Sequence, residues 1–184
     1  MKIAGGLARG IVLKNVKNGR LRPATGYLRE AIFSSLGDCV IGSRFLDLFA
    51  GTGSYGLEAL SRGANSGIFV ENSREIAVVL EGNLAAVYRS MGVANGGCVW
   101  IRDALRVRTE EKFDLIFIDP PYDLSRAHGD EILARGLSFL QKSERSRLIF
   151  EVPADVHLKI PNGVRLLRRV GGSGRNSPAA VIYA

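Results

Sequence analysis

The chain has 184 residues, 46% of them hydrophobic and 23% charged, which suits one globular domain with a substantial core (residues 1–184). No apolar run approaches the ~18 residues of a membrane span, and the first residues hold no apolar stretch of signal-peptide length. Two cysteines, Cys39 and Cys98, cannot build a disulfide scaffold, so a soluble protein of a reducing, cytoplasmic compartment is expected.

The formal net charge is +7, and it is unevenly spread. Residues 1–30 hold seven Lys/Arg and one acid; residues 31–144 hold 11 basic and 15 acidic groups; residues 145–184 hold seven basic and two acidic groups. Basic ends around an acidic middle point to a polyanion gripped beside a separate chemical centre. Nineteen of the 25 basic residues are Arg, the better partner for phosphate. His128 and His157 lie far from any ligand pattern, and no metal is expected.

Residues 1–24 read as a short basic arm, with Ile11-Val12-Leu13 as one strand of a hairpin, ahead of a core over residues 25–184. Thr25 is placed to cap a helix whose apolar face is Leu28, Ile32, Phe33 and Leu36. After a turn at Gly42-Ser43, a buried strand is predicted over Phe45–Phe49, a glycine-rich turn over Gly51–Gly56, and a helix from Leu57. A second strand, Gly67–Glu71, is followed by a helix capped by Ser73, with Ile76, Val79, Leu80, Leu84 and Val87 inward. Cys98–Ile101 and Phe113–Ile118 are further strands. A helix with Ile132, Leu133, Leu137 and Leu140 inward follows, then the strand Arg147–Val152 and a closing hairpin over Val164–Val170 and Ala179–Tyr183. Strands alternating with helices predict an α/β, doubly wound and mostly parallel sheet.

Two motifs carry chemistry. Gly51-Thr52-Gly53-Ser54-Tyr55-Gly56 follows a strand and opens a helix, and Glu71 ends the next strand 20 residues beyond Gly51. Such a loop lets a ligand approach the backbone, and the acid suits ribose hydroxyls. That pattern fits a nicotinamide dinucleotide as well as S-adenosylmethionine. Asp47, inside the first strand, favours the latter, because a carboxylate suits an α-amino group and repels a pyrophosphate. Asp103-Ala104, at the end of the third strand, can receive an adenine edge; Asp103 reads equally well as a cap.

The second motif, Asp119-Pro120-Pro121-Tyr122, stops a strand at the edge where doubly wound sheets bind ligands. Two prolines fix φ and remove two backbone donors, leaving carbonyls, one carboxylate and one ring. The set suits a planar exocyclic amine. Asp119 and the Pro120 carbonyl would each accept one N–H and turn the lone pair toward a methyl donor, while Tyr122 stacks on the base.

The segments Phe45–Gly56 and Phe113–Tyr122 resemble class I S-adenosylmethionine-dependent methyltransferases that modify amines. Ala8-Arg9-Gly10, Arg22-Pro23-Ala24-Thr25, Leu28–Phe33 and Leu57–Ala64 narrow the resemblance to the bacterial RsmD family, over nearly the whole chain. The resemblance implies a Rossmann-like, seven-stranded sheet with a reversed last hairpin, and methylation of a guanine N2 amine in 16S ribosomal RNA or the small ribosomal subunit. It implies a donor site of Asp47, Gly51, Gly53, Glu71, Asp103 and Ala104, and a target-base site of Asp119, Pro120, Pro121 and Tyr122. RNA would meet the basic Arg9, Arg20, Arg22 and Arg29, and the enzyme is expected to be a monomer. Ala24 and Gly26 stand where the family usually has Thr and Asp. The proline corner by itself accepts any exocyclic amine, so adenine N6 remains open beside guanine N2. A nicotinamide-dependent oxidoreductase is the alternative from another class, although no His or Lys stands in an acid–base setting.

Overall fold

The structure, a computed structural model, describes residues 1–16, 26–172, 174 and 176–184. Thr25, Arg20 and Arg22 lie outside the described residues.

The chain runs α1 (Gly26–Leu36), β1 (Arg44–Asp47), α2 (Ser54–Ser61), β2 (Ser66–Glu71), α3 (Arg74–Met91), β3 (Gly97–Ile101), β4 (Leu115–Ile118), α4 (Tyr122–Phe139), β5 (Arg147–Pro153), β6 (Leu166–Gly171) and β7 (Pro178–Tyr183). Seven strands form one sheet in the order β3-β2-β1-β4-β5-β7-β6. The strands β1 to β5 pair in parallel, and β7 enters antiparallel between β5 and β6. This is the fold class expected from the alternation of strands and helices, with the closing hairpin reversed. No helix among the described residues is long and apolar enough to cross a membrane.

The central strands are apolar on both faces, because helices cover both. On one side Phe45, Phe69, Leu115, Phe117 and Ile149 meet α1, α2, α3 and the arm. On the other, Leu46, Ile116, Ile118, Leu148 and Phe150 meet Ile132, Leu133 and Phe139 of α4. Ser73 caps α3 as expected, its Oγ accepting from the Ile76 amide at 3.4 Å. The boundaries shift where tertiary contacts decide. The glycine-rich turn is shorter than predicted, since α2 starts at Ser54 rather than Leu57. Phe113 leaves β4 to bridge Leu140, which lies just past α4.

The arm is less detached than its composition suggests. Lys2 bridges Val12 across a small hairpin, and Ile3, Ala8 and Leu13 are buried in the core. Glu58 of α2 fastens it, accepting from the Ala4 and Gly5 amides at 2.9 Å each. Asn83 of α3 holds its far end, accepting from the Lys14 amide at 2.8 Å and donating to the Lys14 carbonyl at 3.0 Å.

Candidate active site

Strands of one direction deliver their carboxyl ends to one edge of the sheet, and a crevice forms where the chain order reverses. Here the reversal lies between β1 and β4, which are neighbours in the sheet. A cavity of about 410 Å³ opens at that edge, within the size range of small-molecule sites. Its wall crosses five strands: Asp103-Ala104 beyond β3, Glu71 at β2, Phe49–Thr52 beyond β1, Asp119–Pro121 beyond β4, and Glu151 on β5.

The glycine loop is held from both sides. The Leu48 amide donates to Phe117 at 2.9 Å, and the Ala50 amide donates to Val70 at 3.0 Å. Gly51, at φ 54°, lines the cavity, and its amide donates to Glu71 Oε2 at 3.0 Å. The other carboxylate oxygen of Glu71 accepts from the Ser73 amide at 2.8 Å. A buried carboxylate fixed by two backbone donors is preorganised to accept further hydroxyl protons.

The other two glycines of the motif serve packing. Gly53, at φ 95°, caps α2, and a Cβ there would lie 2.4 Å from Leu80 Cδ1. A Cβ on Gly56 would lie 2.2 Å from Phe69 Cε1, so α2 sits directly on the sheet. The missing side chain of Gly53 thus makes room for the core, and the cavity wall itself takes in Gly51 and Thr52 of the turn.

Asp47, expected at an α-amino group, sits behind the glycine loop. It is 1% exposed and lies outside the wall; its Oδ2 accepts from the Gly56 amide at 3.1 Å, tying α2 to β1. Among the described residues its buried Oδ1 has no hydrogen-bond partner. Burial raises the Asp47 carboxyl to about 7 despite the Gly56 amide, and the nearby Glu71 charge adds to the rise.

The facing wall is the proline corner. Pro120 is buried, Asp119 is half-buried, and Pro121 caps α4 at φ −51° with its carbonyl accepting from the Ser125 amide at 3.0 Å. Asp119, Pro120 and Pro121 all line the same cavity as Gly51 and Glu71. Tyr122 does not: it is the first residue of α4, half-buried and outside the wall, because the helix begins at once after the second proline. Asp103 is the cap that its sequence position allows: it opens a short turn, accepting from the Leu105 amide at 2.9 Å, and it also lines the cavity.

Sequence reasoning passed over Glu151, Asn15 and Arg102, which also line the cavity. Glu151 is 5% exposed and accepts a short hydrogen bond from the Tyr55 hydroxyl. Tyr55 stacks on Phe117 with ring centroids 5.6 Å apart. Burial, then the charges of Glu151 and Asp119, push the Tyr55 phenol well above its ordinary value. A lone Glu at the end of an apolar strand was the one available signal for this residue. The arm supplies Asn15, and Arg102 lies over the Trp100 ring at 5.1 Å.

The four expected RNA contacts divide. Arg9 is exposed on the arm. Arg29 is 2% exposed and points inward, donating to Glu58 Oε2 at 3.2 Å and to the Lys2 carbonyl at 2.6 Å. It is a strut beneath the arm rather than a surface contact, because its helix position faces the core beside Glu58. Arg20 and Arg22 lie outside the described residues.

A family model described as Conserved hypothetical protein 95 matches residues 1–170. The putative rRNA methyltransferase YlbH of Bacillus subtilis is 36% identical over 127 residues, which cover 66% of this chain and 67% of that protein. Ribosomal RNA small subunit methyltransferase D of Escherichia coli is 32% identical over 123 residues, covering 66% of this chain and 60% of its own length. The chain thus matches about two thirds or less of these relatives. Among solved structures, the putative methyltransferase yhhF from Escherichia coli superimposes with a TM-score of 0.82 at 25% identity, covering 100% of this chain and 96% of that one. A putative RNA methyltransferase from Pyrococcus horikoshii shares the fold with a TM-score of 0.71 at 21% identity, covering 94% of this chain and 93% of that one.

Proposed function

The chain belongs to the RsmD family, and from that premise we propose that it methylates the exocyclic N2 amine of a guanine in small-subunit (16S) ribosomal RNA, with S-adenosylmethionine as donor. The observation that carries this reading is the shared cavity: the glycine loop with Glu71 forms one wall and Asp119-Pro120-Pro121 forms the other.

The wall residues fit the donor. Glu71 would accept the ribose hydroxyls, Asp103 and Ala104 would border the adenine, and the Gly51 backbone would allow close approach. When bound, S-adenosylmethionine supplies an electrophilic methyl group on sulfur. The protein's own task is then to aim a poor nucleophile, since the lone pair of a guanine amine is delocalised into the ring. Asp119 and the Pro120 carbonyl accept the two N–H groups and hold the lone pair out of the ring plane's conjugation. The proton shed by the nitrogen passes to the Asp119 carboxylate. Fixed orientation of this kind supplies much of a methyl transfer's acceleration. A base inside a helix cannot enter the cavity, so the target is flipped out or lies in a loop. Phosphates beside it meet basic residues of the arm, of which Arg9 is exposed.

The test is transfer of tritiated methyl groups to undermethylated small-subunit RNA and particles, followed by mass spectrometry of the labelled nucleoside. N2-methylguanosine is expected. Label on adenine would overturn the base assignment. Failure to bind S-adenosylhomocysteine, with binding of a nicotinamide dinucleotide instead, would overturn the reaction class.

A further inference from the structure

We propose that Glu151 selects guanine over adenine by accepting the N1–H of the target base while Asp119 holds its N2 amine. The inference rests on the function just proposed.

The sheet itself brings the two carboxylates together. Ile118 of β4 pairs in parallel with Phe150 of β5, so Asp119 and Glu151 are the next residues along two adjacent strands. They also share a face. Phe117 pairs with Ile149, and both belong to the core on the side of α1 and α2, so Glu151, two further along β5, points to that side; Asp119, the first residue past β4, lines the same cavity. Tyr55 of α2 senses both charges, and its hydroxyl holds Glu151.

Position separates Glu151 from the donor. Glu71, the candidate ribose ligand, ends β2; β5 lies three strands away, or about 14 Å at the usual spacing of ~4.8 Å. Glu151 is therefore on the acceptor side of Asp119. Glu151 is 5% exposed as a residue yet lines the cavity, so a base seated there meets it with little intervening water.

The chemistry discriminates. The Watson–Crick edge of guanine presents adjacent donors, N1–H and the N2 amine, whereas adenine presents an acceptor at N1 beside its amine. A carboxylate only accepts, so Glu151 pairs with guanine and opposes the adenine lone pair. A site built to bond a substrate N–H rejects an analogue that brings a lone pair to the same carboxylate, because the analogue forfeits the hydrogen bond and sets like charge against like. The proline corner alone makes no such choice.

The experiment uses full-length protein and small-subunit RNA in which the guanine labelled by the wild type is replaced by 2-aminopurine. That base keeps the amine but carries a lone pair at N1. The wild type should prefer guanine in kcat/KM by roughly 10- to 100-fold, the worth of one hydrogen bond to a charged group. Glu151→Gln, which can offer N–H to the N1 lone pair, should bring the ratio close to one while S-adenosylhomocysteine affinity stays unchanged. Tyr55→Phe keeps the carboxylate and should retain most of the preference. An unchanged ratio in Glu151→Gln, an equal loss in both variants, or a change confined to donor affinity would overturn the proposal and leave the methyltransferase reading intact. Wild-type label on adenine would instead overturn that reading and this inference together.

Discussion

Glu58 makes the sharpest stability prediction. Its side chain is 0% exposed, and its two oxygens accept from four groups: the Ala4 and Gly5 amides at 2.9 Å each, Arg29 Nε at 3.2 Å and Arg62 Nε at 2.7 Å. It therefore joins the arm, α1 and α2 at one buried point. Glu58→Gln keeps the shape and removes the charge. Arg29, 2% exposed, then loses its buried counter-charge and keeps, among the described residues, only neutral acceptors such as the Lys2 carbonyl and Met1 sulfur. Removing one partner of a buried pair costs about 3–5 kcal/mol, a large share of the ~5–15 kcal/mol that stabilises a typical domain. The reciprocal change is milder. Arg29→Met leaves Glu58 with Arg62 and both amides, so it should cost about 1–3 kcal/mol, the worth of a lost charged hydrogen bond. The double variant should be more stable than Glu58→Gln alone. Urea unfolding of the four proteins, fitted with a common slope, gives the coupling. A loss below ~1 kcal/mol in Glu58→Gln, or a larger loss in Arg29→Met, would refute the view of Glu58 as the buried hub.

Asp119→Ala should lower kcat by at least about 100-fold with S-adenosylhomocysteine binding intact, measured by methyl transfer and calorimetry; unchanged turnover removes the amine-orienting role. Glu71→Ala should weaken that binding by roughly 10- to 100-fold, having lost both the acceptor and the anchor of the Gly51 amide. Asp47 gives a pH signature. Its folded-state value of about 7 lies above the ordinary 3.8, so the unfolded chain releases the proton first and stability falls as pH rises between those values, then levels off. Asp47→Asn should therefore gain on the wild type from pH 4 to 7 by an amount on the order of 4 kcal/mol, and a pH-independent difference in unfolding titrations would contradict the buried charge. Arg9→Ala should reduce the slope of log K against log salt for RNA binding by about 0.7, and an identical slope would take Arg9 off the phosphate path. Deleting the arm is not an equivalent test, because Ile3, Ala8 and Leu13 are buried and would leave a hole in the core.

Local signals in the chain carried far. Short apolar runs bounded by turn residues, such as Leu115–Ile118, read as strands covered on both faces, and Ser73 before an amphipathic run reads as the opening of a helix. The glycine loop and the proline corner are short stretches whose backbone restrictions are written in their own residues, so their shapes were legible. Their meeting was less local: it follows from β1 and β4 being neighbours, which parallel topology favours but spacing does not state.

What the sequence determined was therefore the alternation of elements, the two motifs and the kind of chemistry they suit, because each depends on residues within one turn or strand. Only the tertiary structure assigned individual side chains. It turned Arg29 inward because Glu58 waits in a different helix, spent Gly53 and Gly56 on the packing of Leu80 and Phe69, and kept Asp47 behind the loop. It also set Glu151 beside Asp119, through a register between strands 32 residues apart in sequence. Such assignments arise from contacts distant along the chain, and local pattern carries no record of which distant group fills the facing space.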